Sequence, residues 1–295
     1  RPARERNLIV EKPEDLAAAP RGQVHWLRPS PRRAHDFTRD RAKELATMRG
    51  RVGGATLRAA LIRRLQLPRR AGAPPYRILR TQTPRKGLLD SPFLLETEPG
   101  CQAVLHVFSP KEAFFHIPAA KSALVYVPDI SATDDALKGR APRARLLFAV
   151  DPRGIGRTWC RTAYDDADFF RRYGTDYFYA SHGMMLDESY AGRRVHDILC
   201  ALDLLAANGC AAVHLVGRGL GAVYAAFAAC LHPLFKQATL QNALLSYHEL
   251  TQTPVTAWPL SCLVRNALKD FDLPDCYRAL AAEKRLRLAA PWDAL

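Results

Sequence analysis

The stretch Ala211-Ala212-Val213-His214-Leu215-Val216-Gly217-Arg218-Gly219-Leu220-Gly221-Ala222 decides the fold: an apolar strand runs into a glycine-spaced turn, then into an Ala-rich helix over 222–230. This is the strand-turn-helix setting of G-x-S-x-G, the elbow that lifts a nucleophile to the top of a sheet. Gly217 and Gly221 suit the flanking positions, where strand and helix backbones come close and a Cβ would clash. The centre is Gly219. Glycine reaches the left-handed conformation of an elbow without strain, yet it carries no oxygen or sulfur to attack a carbonyl. A phosphate-binding turn is the other reading, since alanine at 222 satisfies the tolerant form of G-x-G-x-x-G. The segment alone leaves both open, and the second predicts nucleotide phosphate contact at 217–221.

Working outward, short apolar runs at 123–127, 145–150, 212–216, 238–240 and 285–289 read as buried strands. Helical patterns separate several of them, notably 192–207, where Val195, Leu199, Leu202 and Leu205 mark one stripe. Such alternation predicts an α/β fold with a mostly parallel sheet and helices on both faces. Runs at 93–97 and 102–108 flank Glu98-Pro99-Gly100-Cys101 and predict an antiparallel hairpin at the start, after a strand at 76–80. Residues 1–75 are rich in Arg and Pro, with helices expected over 37–48 and 55–65. They read as a lead-in or linker before a domain over 76–295.

The chain has 295 residues, 48% of them hydrophobic, with 43 Lys and Arg against 29 Asp and Glu. No apolar run approaches the length of a membrane span, so no membrane partner is expected. The basic excess is scattered in short Arg groups among Ala and Leu. No helix-turn-helix, RNP-type strand or Cys/His finger accompanies it, which excludes nucleic acid as the expected partner. Seven cysteines form no C-x-x-C pair and no metal spacing, so no metal is expected. The opening Arg1-Pro2-Ala3-Arg4 has neither a methionine nor an apolar signal core, and the chain is expected to be part of a longer polypeptide.

Hairpin, strand, strand ending in Asp151-Pro152-Arg153-Gly154-Ile155-Gly156, long helix and Gly217 to Gly221 elbow follow one order. In this the chain resembles the α/β-hydrolase superfamily, and within it the acetyl xylan esterase-like and dipeptidyl-peptidase-like branch. The segment Arg21-Gly22-Gln23-Val24-His25-Trp26-Leu27, with Phe37-Thr38-Arg39-Asp40-Arg41-Ala42 after it, is similar to the join of tandem-hydrolase proteins. The resemblance implies that this is the C-terminal half, truncated after the seventh strand, with an upstream hydrolase domain of the same polypeptide as partner. It also implies carbohydrate as a ligand and an extracytoplasmic location.

The same resemblance implies a Ser, Asp/Glu, His triad in chain order and an oxyanion hole. The nucleophile position falls on Gly219 and is vacant. The oxyanion-hole region falls on Leu220 and Asp129, and Asp293 in Pro291-Trp292-Asp293 is the candidate acid. No histidine follows the seventh strand. The expectation is a degenerate hydrolase kept as scaffold or recognition half. The alternative is an active carboxylic-ester hydrolase with a non-standard nucleophile, Ser246 beside His248 in Ser246-Tyr247-His248-Glu249, or Ser181 at the head of a helix. Neither reading needs a cofactor. Arg218 is expected to bind an anion or to pair with Asp151 or Asp187, and Asp151 and Arg153 brace the turn they occupy or bind a ligand. His214 reads as a hydrogen-bonded core histidine. The aromatic residues of 168–179, with Trp159, Trp258 and Trp292, are either packing or sugar-stacking groups.

Overall fold

A computed structural model describes residues 10–19, 22–27, 31–160, 173–282 and 284–294. Nine strands form one sheet: β1 (Tyr76–Ile78), β2 (Gln82–Arg85), β3 (Leu88–Glu98), β4 (Cys101–Ser109), β5 (Ser122–Val127), β6 (Leu147–Asp151), β7 (Ala212–Arg218), β8 (Phe235–Gln241) and β9 (Leu286–Ala289). Their order is β1-β3-β4-β6-β5-β7-β8-β9, with β2 against β3. The expected hairpin is β3 and β4, paired from Leu89↔Ser109 to Glu98↔Cys101. β4 pairs antiparallel with β6, and β6, β5, β7, β8 and β9 then run parallel.

The helices are α1 (Ala34–Arg49), α2 (Gly54–Leu65), α3 (Ala132–Leu137), α4 (Asp176–Met185), α5 (Tyr190–Ala207), α6 (Leu220–Leu231), α7 (Tyr247–Leu250), α8 (Ala267–Asp270) and α9 (Leu273–Ala281). Alternate residues of the central strands face opposite layers. Val125, Val127, Phe148, Val150 and Leu215 join the large core beneath α5 and α6. Tyr126, Ala149, Phe108 and Val216 meet Ala132 and Ala136 of α3 on the other face. Burial on both faces is why these strands read as continuous apolar runs rather than as alternating ones. β2, with Pro84 inside it, and α7 to α9 were not anticipated from the sequence.

Residues before 76 pack into this core. Leu57, Ala60, Leu61 and Leu65 of α2 are buried. α5 passes so near that a methyl group at Gly192 would overlap the Leu65 carbonyl oxygen and lie 2.6 Å from its carbon. Late residues hold the same segment: the Val52 amide donates to Asp275 Oδ1 at 3.0 Å, Arg49 donates to the Leu268 carbonyl, and Arg63 and Arg64 pair with Asp270.

One buried charge group crosses the antiparallel part of the sheet. His106 on β4 lies between Asp90 on β3, 2.9 Å from Nδ1, and Asp151 at the end of β6, 3.1 Å from Nε2. All three side chains are inaccessible to solvent. Burial alone would push the imidazole pKa down; the charges and hydrogen bonds of Asp151 and Asp90 outweigh it and raise it to about 9. The folded protein therefore holds a proton that the unfolded chain releases near 6.5, so the stabilisation is complete below that pH and is lost as pH rises through about 9. Denaturant titrations across this range are expected to record a loss on the order of 3 kcal/mol. His106→Gln should lower stability at pH 6 and flatten the profile.

Candidate site at the elbow

Gly217 and Gly221 are required by close backbone approach. A Cβ on Gly217 would lie 2.5 Å from the Ala222 Cα, and one on Gly221 would overlap the Val127 and Pro128 carbonyls at the end of β5. This lets α6 begin directly above the junction of β5 and β7. Gly219 between them has φ 53° and ψ −122°, a region that side-chain-bearing residues enter only under strain.

The space above Gly219 is filled from beyond another strand. A Cβ on Gly219 would overlap Asp129 Oδ1, lie 2.6 Å from the carboxyl carbon of Asp129 and 3.0 Å from the Trp292 ring. Asp129, two residues beyond β5, is 2% exposed. Its Oδ1 accepts from the Leu220 amide at 2.9 Å and from the Tyr173 hydroxyl at 3.4 Å. The first N–H of α6, where the positive end of the helix dipole favours an anion, thus holds a carboxylate of the chain itself. In an active elbow that amide stabilises the oxyanion of the acyl intermediate. Sequence reasoning placed Leu220 and Asp129 in this region but missed that one occupies the other. The signal available was the carboxylate at the end of an apolar strand, Pro128-Asp129.

Arg218 faces Asp129 Oδ2 at 3.9 Å and Asp135 Oδ1 at 3.7 Å, with its guanidinium over the Trp292 ring. Burial pushes the Asp135 carboxyl up, against the hydrogen bond from the Tyr126 hydroxyl and the charge of Arg218. The expected pairing of Arg218 with Asp151 or Asp187 is corrected: Asp187 pairs with Arg265, and Asp151 is used elsewhere. Asp151 accepts from the Ala132 amide at 2.9 Å and the Arg157 amide at 3.0 Å, besides its contact with His106.

The Arg153 guanidinium forms two bonds to Asp197, at 2.9 and 2.7 Å, and is ion-paired with Glu98 at 2.7 Å; the Arg153 amide donates a third bond to Asp197 at 2.9 Å. Behind it Arg194, fully buried, donates to the Arg153 and Gly154 carbonyls and pairs with Asp176 at 2.5 Å. Asp151 and Arg153 therefore brace the turn, and neither offers a ligand its charge.

The substitute nucleophiles are engaged otherwise. Ser246 caps α7, accepting from the His248 and Glu249 amides, and its hydroxyl donates to Asp272 Oδ2 at 2.6 Å. The His248 ring meets Gln252 at 3.4 Å, so serine and imidazole are not paired with one another. Ser181 sits inside α4 rather than at its head, its hydroxyl donating to the Tyr177 carbonyl at 2.8 Å.

Asp293 follows β9 in a segment where Trp292 pairs with Leu244, and its charge raises the Glu249 carboxyl after the larger effect of burial. His214 bonds Thr239 at 2.9 Å as expected, but it is half-buried rather than in the core. Trp258 is buried and donates its ring N–H to the Asp293 carbonyl at 2.8 Å. Residues 168–172 of the aromatic segment lie outside the described residues. Among the described residues, no group of three His, Cys, Asp or Glu could hold a metal, and no helix is long and apolar enough to cross a membrane.

No family model matches the chain, and no curated protein matches it in sequence. Solved structures do. A proposed acetyl xylan esterase from Bacteroides fragilis is 15% identical with a TM-score of 0.62, over 89% of this chain and 76% of the other. Acetyl xylan esterase 1 from Thermoanaerobacterium sp. is 12% identical with a TM-score of 0.44, over 86% and 93%. An acetyl xylan esterase from Paenibacillus sp. R4 is 19% identical with a TM-score of 0.40, over 73% and 61%. The sheet order, the elbow and the first of these likenesses together give the α/β-hydrolase fold.

The filled elbow predicts coupling between its two positions. Gly219→Ala should destabilise by more than the roughly 1–3 kcal/mol of backbone strain, because the methyl also displaces a carboxylate. In an Asp129→Gly background part of that cost disappears, and the double variant should be destabilised by about 1–2 kcal/mol less than the sum of the two singles. Urea unfolding of the four proteins measures this; strict additivity would remove Asp129 from the elbow.

Proposed function

We propose that this chain is a degenerate carboxylic-ester hydrolase of the acetyl xylan esterase-like branch, acting as the scaffold or recognition half of a larger esterase. An active hydrolase domain upstream in the same polypeptide is its partner. The observation that carries this reading is the carboxylate of Asp129 on the Leu220 amide beside a glycine at the nucleophile position. The elbow lacks an attacking atom, and its oxyanion donor already holds an anion.

Removing the serine of a working triad costs on the order of a million-fold in subtilisin, and what remains there comes from substrate binding and the oxyanion hole. Here even the Leu220 donor is engaged. The hydroxyls of Ser246 and Ser181 are bonded to a carboxylate and a carbonyl, and neither is held by an imidazole that would take its proton. The likeness of fold to the Bacteroides fragilis protein supports a hydrolase ancestry.

Purified chain should hydrolyse p-nitrophenyl acetate at the buffer rate and take up no fluorophosphonate probe. Gly219→Ser alone should stay silent, because the new Cβ overlaps Asp129. Enzyme-like turnover lost on Ser246→Ala or Ser181→Ala would overturn the reading. A polypeptide extended upstream should hydrolyse the ester, with a KM that rises when this half is removed.

A further inference from the structure

Beside the filled elbow lies a second feature with unused chemistry. A cleft of about 610 Å³ opens between β2, the start of α3 and the turn after β6; Ile130 and Ser131 on its wall directly follow Asp129. That volume lies within the range of small-molecule sites. We propose that this cleft binds a sugar acid, a polyhydroxylated ring carrying one carboxylate, through Gln82, Thr133, Asp134, Arg157 and Trp159.

Three observations lead there. First, its polar groups are not used by the fold. The Gln82 amide, the Thr133 hydroxyl, the Arg157 guanidinium and the Trp159 ring N–H make no hydrogen bond or ion pair among the described residues. The charged side chains of the neighbouring turn are engaged: Arg153 pairs with Asp197, Arg194 with Asp176, and Asp151 with His106. Four unengaged groups converging on one concave surface are available to hydroxyls and a carboxylate.

Second, the aromatic wall is fixed. Gly174 packs against the six-membered ring of Trp159 so closely that a methyl group there would overlap it, 3.0 Å from Cη2. A fixed indole is a large apolar surface with a donor at its edge, which matches the apolar face and hydroxyl rim of a pyranose.

Third, the charge is matched to one acid group. Arg157 has no carboxylate partner among the described residues, and a guanidinium receives a carboxylate through two parallel N–H donors. Asp134 on the same wall is paired with Lys138 at 3.5 Å, and its carboxylate has acceptor capacity left for a ligand's hydroxyls. Lys138 balances Asp134, which leaves the charge of Arg157 to match a single negative charge. A di- or triphosphate would bring several charges against Asp134, so a nucleotide fits less well.

The site deepens the recognition reading above and rests on it for its biological purpose. Its test reads binding rather than hydrolysis, so failure here leaves the degenerate-hydrolase reading standing, and ester turnover there leaves the cleft standing. Sodium D-glucuronate, methyl β-D-glucopyranoside and AMP are titrated into the purified chain by calorimetry and ligand-observed NMR. Glucuronate should bind at least about tenfold more tightly than the neutral glycoside, the value of one charge-assisted hydrogen bond.

Arg157→Gln should remove that preference, and Gln82→Ala should weaken glucuronate. Arg157 and Gln82 are exposed, so these variants test the site even if a Trp159→Leu protein fails to fold. Absence of glucuronate binding, equal affinity for the neutral glycoside, indifference to Arg157→Gln, or tighter binding of AMP would each overturn the proposal.

Discussion

The close approach of three backbones, at the end of β5, the end of β7 and the start of α6, is the constraint on which the rest of the site depends. It exists because Gly217 and Gly221 have no side chain where Val127, Pro128 and Ala222 come nearest. Once the helix starts there, its first amide must find an acceptor, since a buried N–H left unpaired costs on the order of 1–3 kcal/mol. A working hydrolase leaves that duty to solvent or substrate. Here Asp129 performs it, and the missing side chain of Gly219 is what makes the room. The glycine at 219 and the seat of Asp129 on the Leu220 amide are thus one arrangement.

A second layer of buried charge holds the loops around this point. Asp151 joins β6 to β4, to the start of α3 and to its own turn, while Arg153 and Arg194 join that turn to β3, α4 and α5. Breaking one partner of such a group leaves an uncompensated charge, which is strongly destabilising. The network therefore preserves the geometry of the sheet edge whether or not chemistry occurs there. The bracing is separate from the elbow itself, so the outline of this sheet edge does not depend on the residue at 219.

Much of the architecture was legible in the sequence for a simple reason: buried parallel strands have no polar face, and the glycine spacing at 217–221 marks a strand-turn-helix junction whichever of its two uses is meant. The hairpin announced itself through Pro99-Gly100. What was not legible was contact between distant residues. Asp129 and Leu220 are 91 positions apart, and Arg153 and Asp197 are 44 apart. Nothing local to Asp129 distinguishes a carboxylate that fills an elbow from one that faces water. Arg218 was assigned the wrong acids for the same reason. Ser246 looked reactive beside His248, yet serine two residues before a histidine is also how a short helix is capped.

The way α2 is seated bears on how the protein is made. Its apolar stripe, Leu57 to Leu65, is covered by α5 and by the segment around Asp270 and Asp275, which leave the ribosome much later. At roughly 5–20 residues per second, the stripe waits some tens of seconds for its last partners. During that interval it is an exposed hydrophobic surface on a nascent chain, and synthesis at low chaperone capacity is where this architecture is most vulnerable.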